Sequence, residues 1–213
     1  MYATWQQAMG SKVGVLPVRL PGREARLNEP LSHSPDEIAA AIADRADRPY
    51  GIYGHSMGGR LGFEVVRALY RMGAQRPVRF YPAACRPPDQ PDPLSYVVTL
   101  SDDEMLDALD EQLGGDQAEL REYPELLELF VPVLRSDMEW LAGHRYQPGT
   151  PWDIPIAGFA GADDRQPPPW EMHGWARQTT APFRLHTLPG GHFFLRTATD
   201  QLTGLIAADL LGA

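Results

Sequence analysis

The sequence predicts an α/β protein with a mainly parallel sheet, and three features carry that expectation. Short apolar runs at 50–53, 78–84, 154–160 and 183–188 alternate with segments of helical period, the pattern of strands joined by covering helices. Gly54-His55-Ser56-Met57-Gly58 stands between the first run and a helical segment, matching the G-x-S-x-G elbow that presents a nucleophilic serine between strand and helix. Acidic and histidine-bearing turns follow the last two runs, and in such sheets the reacting groups gather beyond the carboxyl ends of the strands.

Taken in order, Tyr2 to Met9 reads as the end of a helix, and Val13 to Leu20 as a strand entering the Leu20-Pro21-Gly22-Arg23-Glu24 turn. A helix is expected from Pro35 to Ala46, with Ser34 as its N-cap and proline in its first position. Tyr50, Ile52 and Tyr53 suit a short buried strand, and after Ser56 apolar residues recur at Leu61, Val65, Leu69 and Met72 with helical spacing. Gly54 and Gly58 are expected to let that strand and helix pass close together and leave the serine exposed. Val78 to Ala84 reads as the next strand, followed by an extended connection through Pro87, Pro88, Pro91 and Pro93.

From about 101 to 147 the character becomes helical. Ser101 and Glu104 form a capping-box signal, and Gly114-Gly115 closes that segment. Pro124 opens a second, greasy helix in which Pro132 predicts a kink or a break. An apolar insertion at this place reads either as ordinary core or as a lid sheltering a hydrophobic chain. Strand character returns at Ile154 to Ala160 and Phe183 to Leu188, and a last helix is expected from Ala198 to Leu211. The expected organisation is one domain, 1–213, with a helical lid insertion at about 101–147.

Composition narrows the function. With 43% apolar residues the chain can build one substantial core. Nineteen basic against 28 acidic residues give a formal charge of −9, which argues against nucleic acid as the partner. No run approaches a membrane span and the N-terminus has no basic region leading into an apolar one, so the expected location is the cytoplasm. The single cysteine, Cys85, leaves no internal disulfide and reads best as a small buried hydrophobe. Arg60, Arg67 and Arg71, with Arg76, Arg79 and Arg86 soon after, form either a face for a phosphate or acidic protein or a solvated helix surface.

Ser56, Asp164 and His192 each fall just after an expected strand end, in the order Ser, Asp, His. A serine hydroxyl is a weak nucleophile at neutral pH and needs a base within hydrogen-bond reach, while a carboxylate fixes the tautomer of that base. His192 follows two glycines; beside Phe193 and Phe194 it also has a purely structural reading, against which the elbow and the acidic turn weigh together. Counting from Gly161, the fourth residue of the turn is Asp164, which leaves Asp163 as a turn residue. Met57, opening the helix, offers a backbone N–H to an oxyanion. His55 reads as packing under the turn. His33, His144, His173 and His186 have no metal-ligand spacing, and neither a metal nor another cofactor is expected.

The chain resembles the type II thioesterases, stand-alone α/β-hydrolases that accompany polyketide synthases and nonribosomal peptide synthetases. The matching stretches span nearly the whole chain: Leu20-Pro21-Gly22-Arg23-Glu24 with Arg26 and Glu29-Pro30, Tyr53 to Gly58, Arg86-Pro87-Pro88, Leu113-Gly114-Gly115, Pro132-Val133-Leu134-Arg135 with Asp137, Gly161 to Asp164, and Gly190 to Leu195. The resemblance implies hydrolysis of the thioester joining an acyl group to the phosphopantetheine arm of an acyl or peptidyl carrier protein, clearing stalled or aberrant units. It implies Ser56 as nucleophile, His192 as base, Asp164 as its orienting acid and Met57 N–H as oxyanion donor. It also implies a central strand ending in a Phe-Pro-His-Ala-Gly-Gly type motif ahead of Tyr2, whose loop supplies a second oxyanion N–H; that strand and loop are expected to be missing here. The alternatives are a small-ester carboxylesterase of the same fold and a catalytically weak carrier-binding fragment.

Overall fold

The computed structural model describes residues 2–114 and 123–212. Gly115 and the rest of 115–122, inside the expected lid, lie outside the described residues. The chain divides into two compact units, one of residues 1–18, 34–87 and 149–213, the other of 19–33 and 88–148.

The first unit is built on four parallel strands in the order β1 (Gly51–His55), β2 (Arg79–Ala83), β3 (Ile156–Gly161) and β4 (Phe183–Leu188). Their registers run Gly51 to Arg79, Phe80 to Ile156 and Ile156 to Phe183. Successive side chains of a strand face opposite ways, and β2 shows why both faces must be covered. Tyr81 and Ala83 join Phe159, Phe194, Leu202 and Ile206 in one core cluster. Phe80 instead meets Trp152 and Trp175, at 5.7 and 5.6 Å between ring centroids.

The covering helices start and stop where their chemistry directs. Helix α1 spans Trp5–Met9, and Trp5 is buried against Tyr53. Helix α2 (Pro35–Ala43) has Pro35 at its start, and the Ser34 side chain accepts from Glu37 N–H. It ends three residues sooner than expected. Its Ala39 packs with Val65, Ala68 and Leu69 of α3 (Met57–Met72), which closes on Gly73 in the left-handed conformation.

Val13 to Leu20 forms no strand, contrary to expectation. A strand needs a ladder partner and a non-polar side to bury, yet Leu16 and Val18 are 80% and 56% exposed and Pro17 removes a donor. The segment is instead tied locally, with Val15 N–H donating to the Gln6 side chain.

In the second unit, α4 (Asp102–Leu113) opens with the expected capping box between Ser101 and Glu104 and closes on Gly114. Helix α5 (Pro124–Gly143) continues unbroken through Pro132. Met138 joins Leu94, Val97, Met105 and Leu109 in the unit's core, while Leu126, Leu129 and Phe130 are exposed. Arg135 fixes α5 to the start of α4 through Asp102. Asp137 receives both ends of the Arg23 guanidinium, at 3.1 and 2.5 Å, and also lies 2.5 Å from His33 Nε2. Among the described residues no helix is long and apolar enough to cross a membrane.

Candidate active site

The elbow turns sharply because its serine adopts a conformation few side chains tolerate. Ser56 has φ 55° and ψ −127°, a region that costs a non-glycine residue of order 1–3 kcal/mol unless the surroundings impose it. They do so through Ser56 N–H, which donates to Ala83 O at 2.8 Å. A Cβ on Gly54 would lie 2.1 Å from Gly58 O, and one on Gly59 would lie 2.2 Å from Cys85 Sγ. A Cβ on Gly58 would meet nothing within 4 Å. The close approach of strand and helix is therefore made by Gly54 and Gly59, a correction to the expectation for Gly58. Cys85 is buried, and its thiol packs beneath the first turn of α3.

The acid and histidine turns are joined before their side chains meet. Ala162 N–H donates to Leu188 O and Asp163 N–H to Gly190 O, at 2.8 and 2.9 Å. A Cβ on Gly161 would lie 2.2 Å from Gly191 O and 2.5 Å from Gly190 O, so only glycine lets the end of β3 lie against the loop after β4. Gly190 itself has φ 108°, which favours glycine. This contact was not legible as such, although Gly161 opened the Gly-x-x-Asp count.

Those turns bring Ser56, Asp164 and His192 together. Asp164 Oδ2 lies 3.1 Å from His192 Nδ1, and His192 Nε2 lies 3.0 Å from Ser56 Oγ. Asp164 and His192 are 4% and 3% exposed. The second carboxylate oxygen, Oδ1, accepts from Gln166 N–H at 2.9 Å, a partner that sequence reasoning missed. Asp163 is exposed. An ionised carboxylate only accepts, so it sets the proton on Nδ1 and turns the lone pair of Nε2 to the serine hydroxyl. Met57 is the first residue of α3, where a backbone N–H has no intrahelical acceptor.

His55 packs edge-on to the His192 ring at 5.3 Å and is stacked on Phe193 at 6.4 Å. Burial, reinforced by the neighbouring His192, pushes its pKa well below the usual value. The ring is held neutral at physiological pH.

The arginines after the elbow, for which two readings were open, are engaged by partners within the unit and form no single basic face. Arg60 is buried and donates to Pro87 O. Arg67 pairs with Glu64, Arg71 with Asp36, Arg76 with Asp153, Arg79 with Asp209 and Arg86 with Glu171. No group of histidine, cysteine and carboxylate side chains suited to a metal occurs among the described residues.

A parallel sheet carrying these groups beyond the carboxyl ends of its strands is that of an α/β-hydrolase. The chain belongs to the thioesterase family, whose thioesterase domain model matches residues 1–210. It is 33% identical over 217 residues to linear gramicidin dehydrogenase LgrE of Brevibacillus parabrevis, covering 99% of this chain and 82% of the relative. The structure of the RedJ thioesterase from the prodiginine biosynthetic pathway in Streptomyces coelicolor aligns with a TM-score of 0.87 at 32% identity, over 97% of this chain and 84% of that one. The type II thioesterase BorB from the borrelidin biosynthetic cluster aligns with a TM-score of 0.81, also at 32% identity, over 98% and 86%. LgrE is named for another reaction; the family and the two structures define this chain as a hydrolase acting on thioesters.

Proposed function

We propose that the enzyme cleaves acyl thioesters from the phosphopantetheine arm of carrier proteins in polyketide or nonribosomal peptide biosynthesis, with Ser56 as nucleophile. The observation that carries this reading is the continuous relay from Asp164 through His192 to the Ser56 hydroxyl, at 3.1 and 3.0 Å. Ser56 Oγ attacks the thioester carbonyl carbon as His192 Nε2 takes its proton, and the Asp164 carboxylate stabilises the resulting imidazolium. The Met57 N–H faces the developing oxyanion, where the N-terminus of α3 adds a favourable dipole. The C–S bond breaks, and the leaving thiolate takes the proton from His192. Water then attacks the acyl-serine with His192 again as base, releasing the carboxylic acid and restoring Ser56.

The carrier as partner is supported by the likeness to a type II thioesterase of a biosynthetic cluster. The same proposal puts the enzyme in the cytoplasm with its carriers. The test compares turnover of acyl groups on a carrier protein with turnover of nitrophenyl esters bearing the same acyl group. A clear preference for the carrier thioester, lost in Ser56→Ala, is expected. Equal or better use of the nitrophenyl esters would assign a small-ester hydrolase instead, and carrier binding without turnover would leave only a binding role.

A further inference from the structure

With the arginines after the elbow taken up by internal partners, exposed cations whose side chains make no ion pair or hydrogen bond among the described residues include Arg165 and Arg196. Arg165 directly follows Asp164 on its turn, and Arg196 lies in the short helix Phe194–Thr197 that follows the His192 turn. Arg196 alone of this pair has something to order it. Its backbone N–H donates to Phe193 O at 2.9 Å, the two residues before it are buried, and its guanidinium carbon lies 5.1 Å from the centre of the Phe193 ring. That ring in turn meets the His192 ring edge-on at 5.1 Å. Asp200, one turn further on, forms no ion pair with it among the described residues.

A guanidinium resting on an aromatic face keeps its in-plane N–H fork available. Two contacts of 5.1 Å link it to the His192 ring. We infer that Arg196 is a specificity-determining residue that binds an anionic oxygen carried by the thioester substrate, either the phosphate of the pantetheine arm or a carboxylate on the acyl group. This rests on the thioesterase reading of the site given above. Fixing the side chain on Phe193 before binding lowers the ordering cost of that contact, and the charged hydrogen bond selects against substrates that lack the anion.

The test measures kcat/KM for three thioesters in the wild type, Arg196→Ala and Arg184→Ala. The substrates are an acyl-pantetheine, the matching acyl-phosphopantetheine, and the pantetheine thioester of a dicarboxylic acid. Arg184 is an exposed cation near the opposite end of β4 and serves as the control. Arg196→Ala is expected to lower the preference for one anionic substrate over the neutral one by about tenfold; which one it is identifies the phosphate or the carboxylate as the ligand. An equal fall for all three substrates, an unchanged preference, or the same loss in Arg184→Ala would overturn the inference. If the wild type turns over none of the three, the functional reading has failed on its own. Calorimetry of Ser56→Ala with an acyl-phosphopantetheine amide and a carboxyacyl-pantetheine amide, with and without Arg196→Ala, then decides the anion site. A tenfold loss of affinity for either supports it, while no binding or equal binding rejects it.

Discussion

Each unit of the molecule contains a buried or half-buried aspartate–histidine contact, and the two differ in what surrounds them. Asp164 meets Nδ1 of His192 and fills its other oxygen with the Gln166 N–H, leaving Nε2 turned to the Ser56 hydroxyl. Asp137 meets Nε2 of His33, and both of its oxygens are taken by the Arg23 fork. In the proposed mechanism the carboxylate of the first pair stabilises a charge that forms on imidazole. In the second a permanent cation already holds it, and the ring nitrogen needed for proton transfer faces the acid rather than a nucleophile. The same two residue types thus make the proposed base in one place and a clasp between a loop and a helix in the other.

The sharpest way to break the comparison is to remove the first relay. Ser56→Ala and His192→Ala are each expected to lower kcat by about 10⁴- to 10⁶-fold, read from single-turnover thioester hydrolysis. Asp164→Asn should cost about 10⁴-fold by presenting the wrong tautomer, whereas Asp137→Asn should leave kcat/KM within about twofold and lower stability by about 1–3 kcal/mol, read by urea unfolding. Similar activity losses in both would erase the distinction drawn here. Gly161→Ala forces a Cβ into two carbonyl oxygens of the His192 loop and should reduce kcat by about 10²-fold through displacement of the base, with substrate KM little changed.

The smallest effect concerns His55. Its folded-state pKa is depressed by burial, so the unfolded chain takes up a proton that the native state refuses as pH falls below the ordinary histidine value. The stability that depends on a neutral His55 is present above about pH 6.5 and is lost progressively below it. Thermal unfolding between pH 7.5 and 5 should therefore show a shallower decline in His55→Phe than in the wild type. An identical slope would mean that His55 titrates alike in both states.

What was legible in the sequence was local. The Ser34 cap, the Ser101–Glu104 box, the elbow and the Gly161 turn are each set within a few residues, by backbone groups that must find partners and by glycines that permit close approach. What was not legible depended on distant partners. Val13 to Leu20 has strand-like composition but no neighbour to pair with. The arginines after the elbow left two readings open because most of their acids, Asp36, Asp153, Glu171 and Asp209, lie far from them along the chain. The Asp164–His192 and Asp137–His33 contacts are equally distant; only the first was readable, because the elbow named the residue its histidine had to serve.

The most direct test of the account is to trap the acyl-enzyme. Mixing the protein with an excess of acyl thioester, quenching in acid within one turnover and mapping the added mass by fragmentation should place the acyl group on Ser56, with no adduct in Ser56→Ala and a greatly reduced amount in His192→Ala. An acyl group on any other side chain, or undiminished acylation of Ser56 when His192 is replaced, would contradict it.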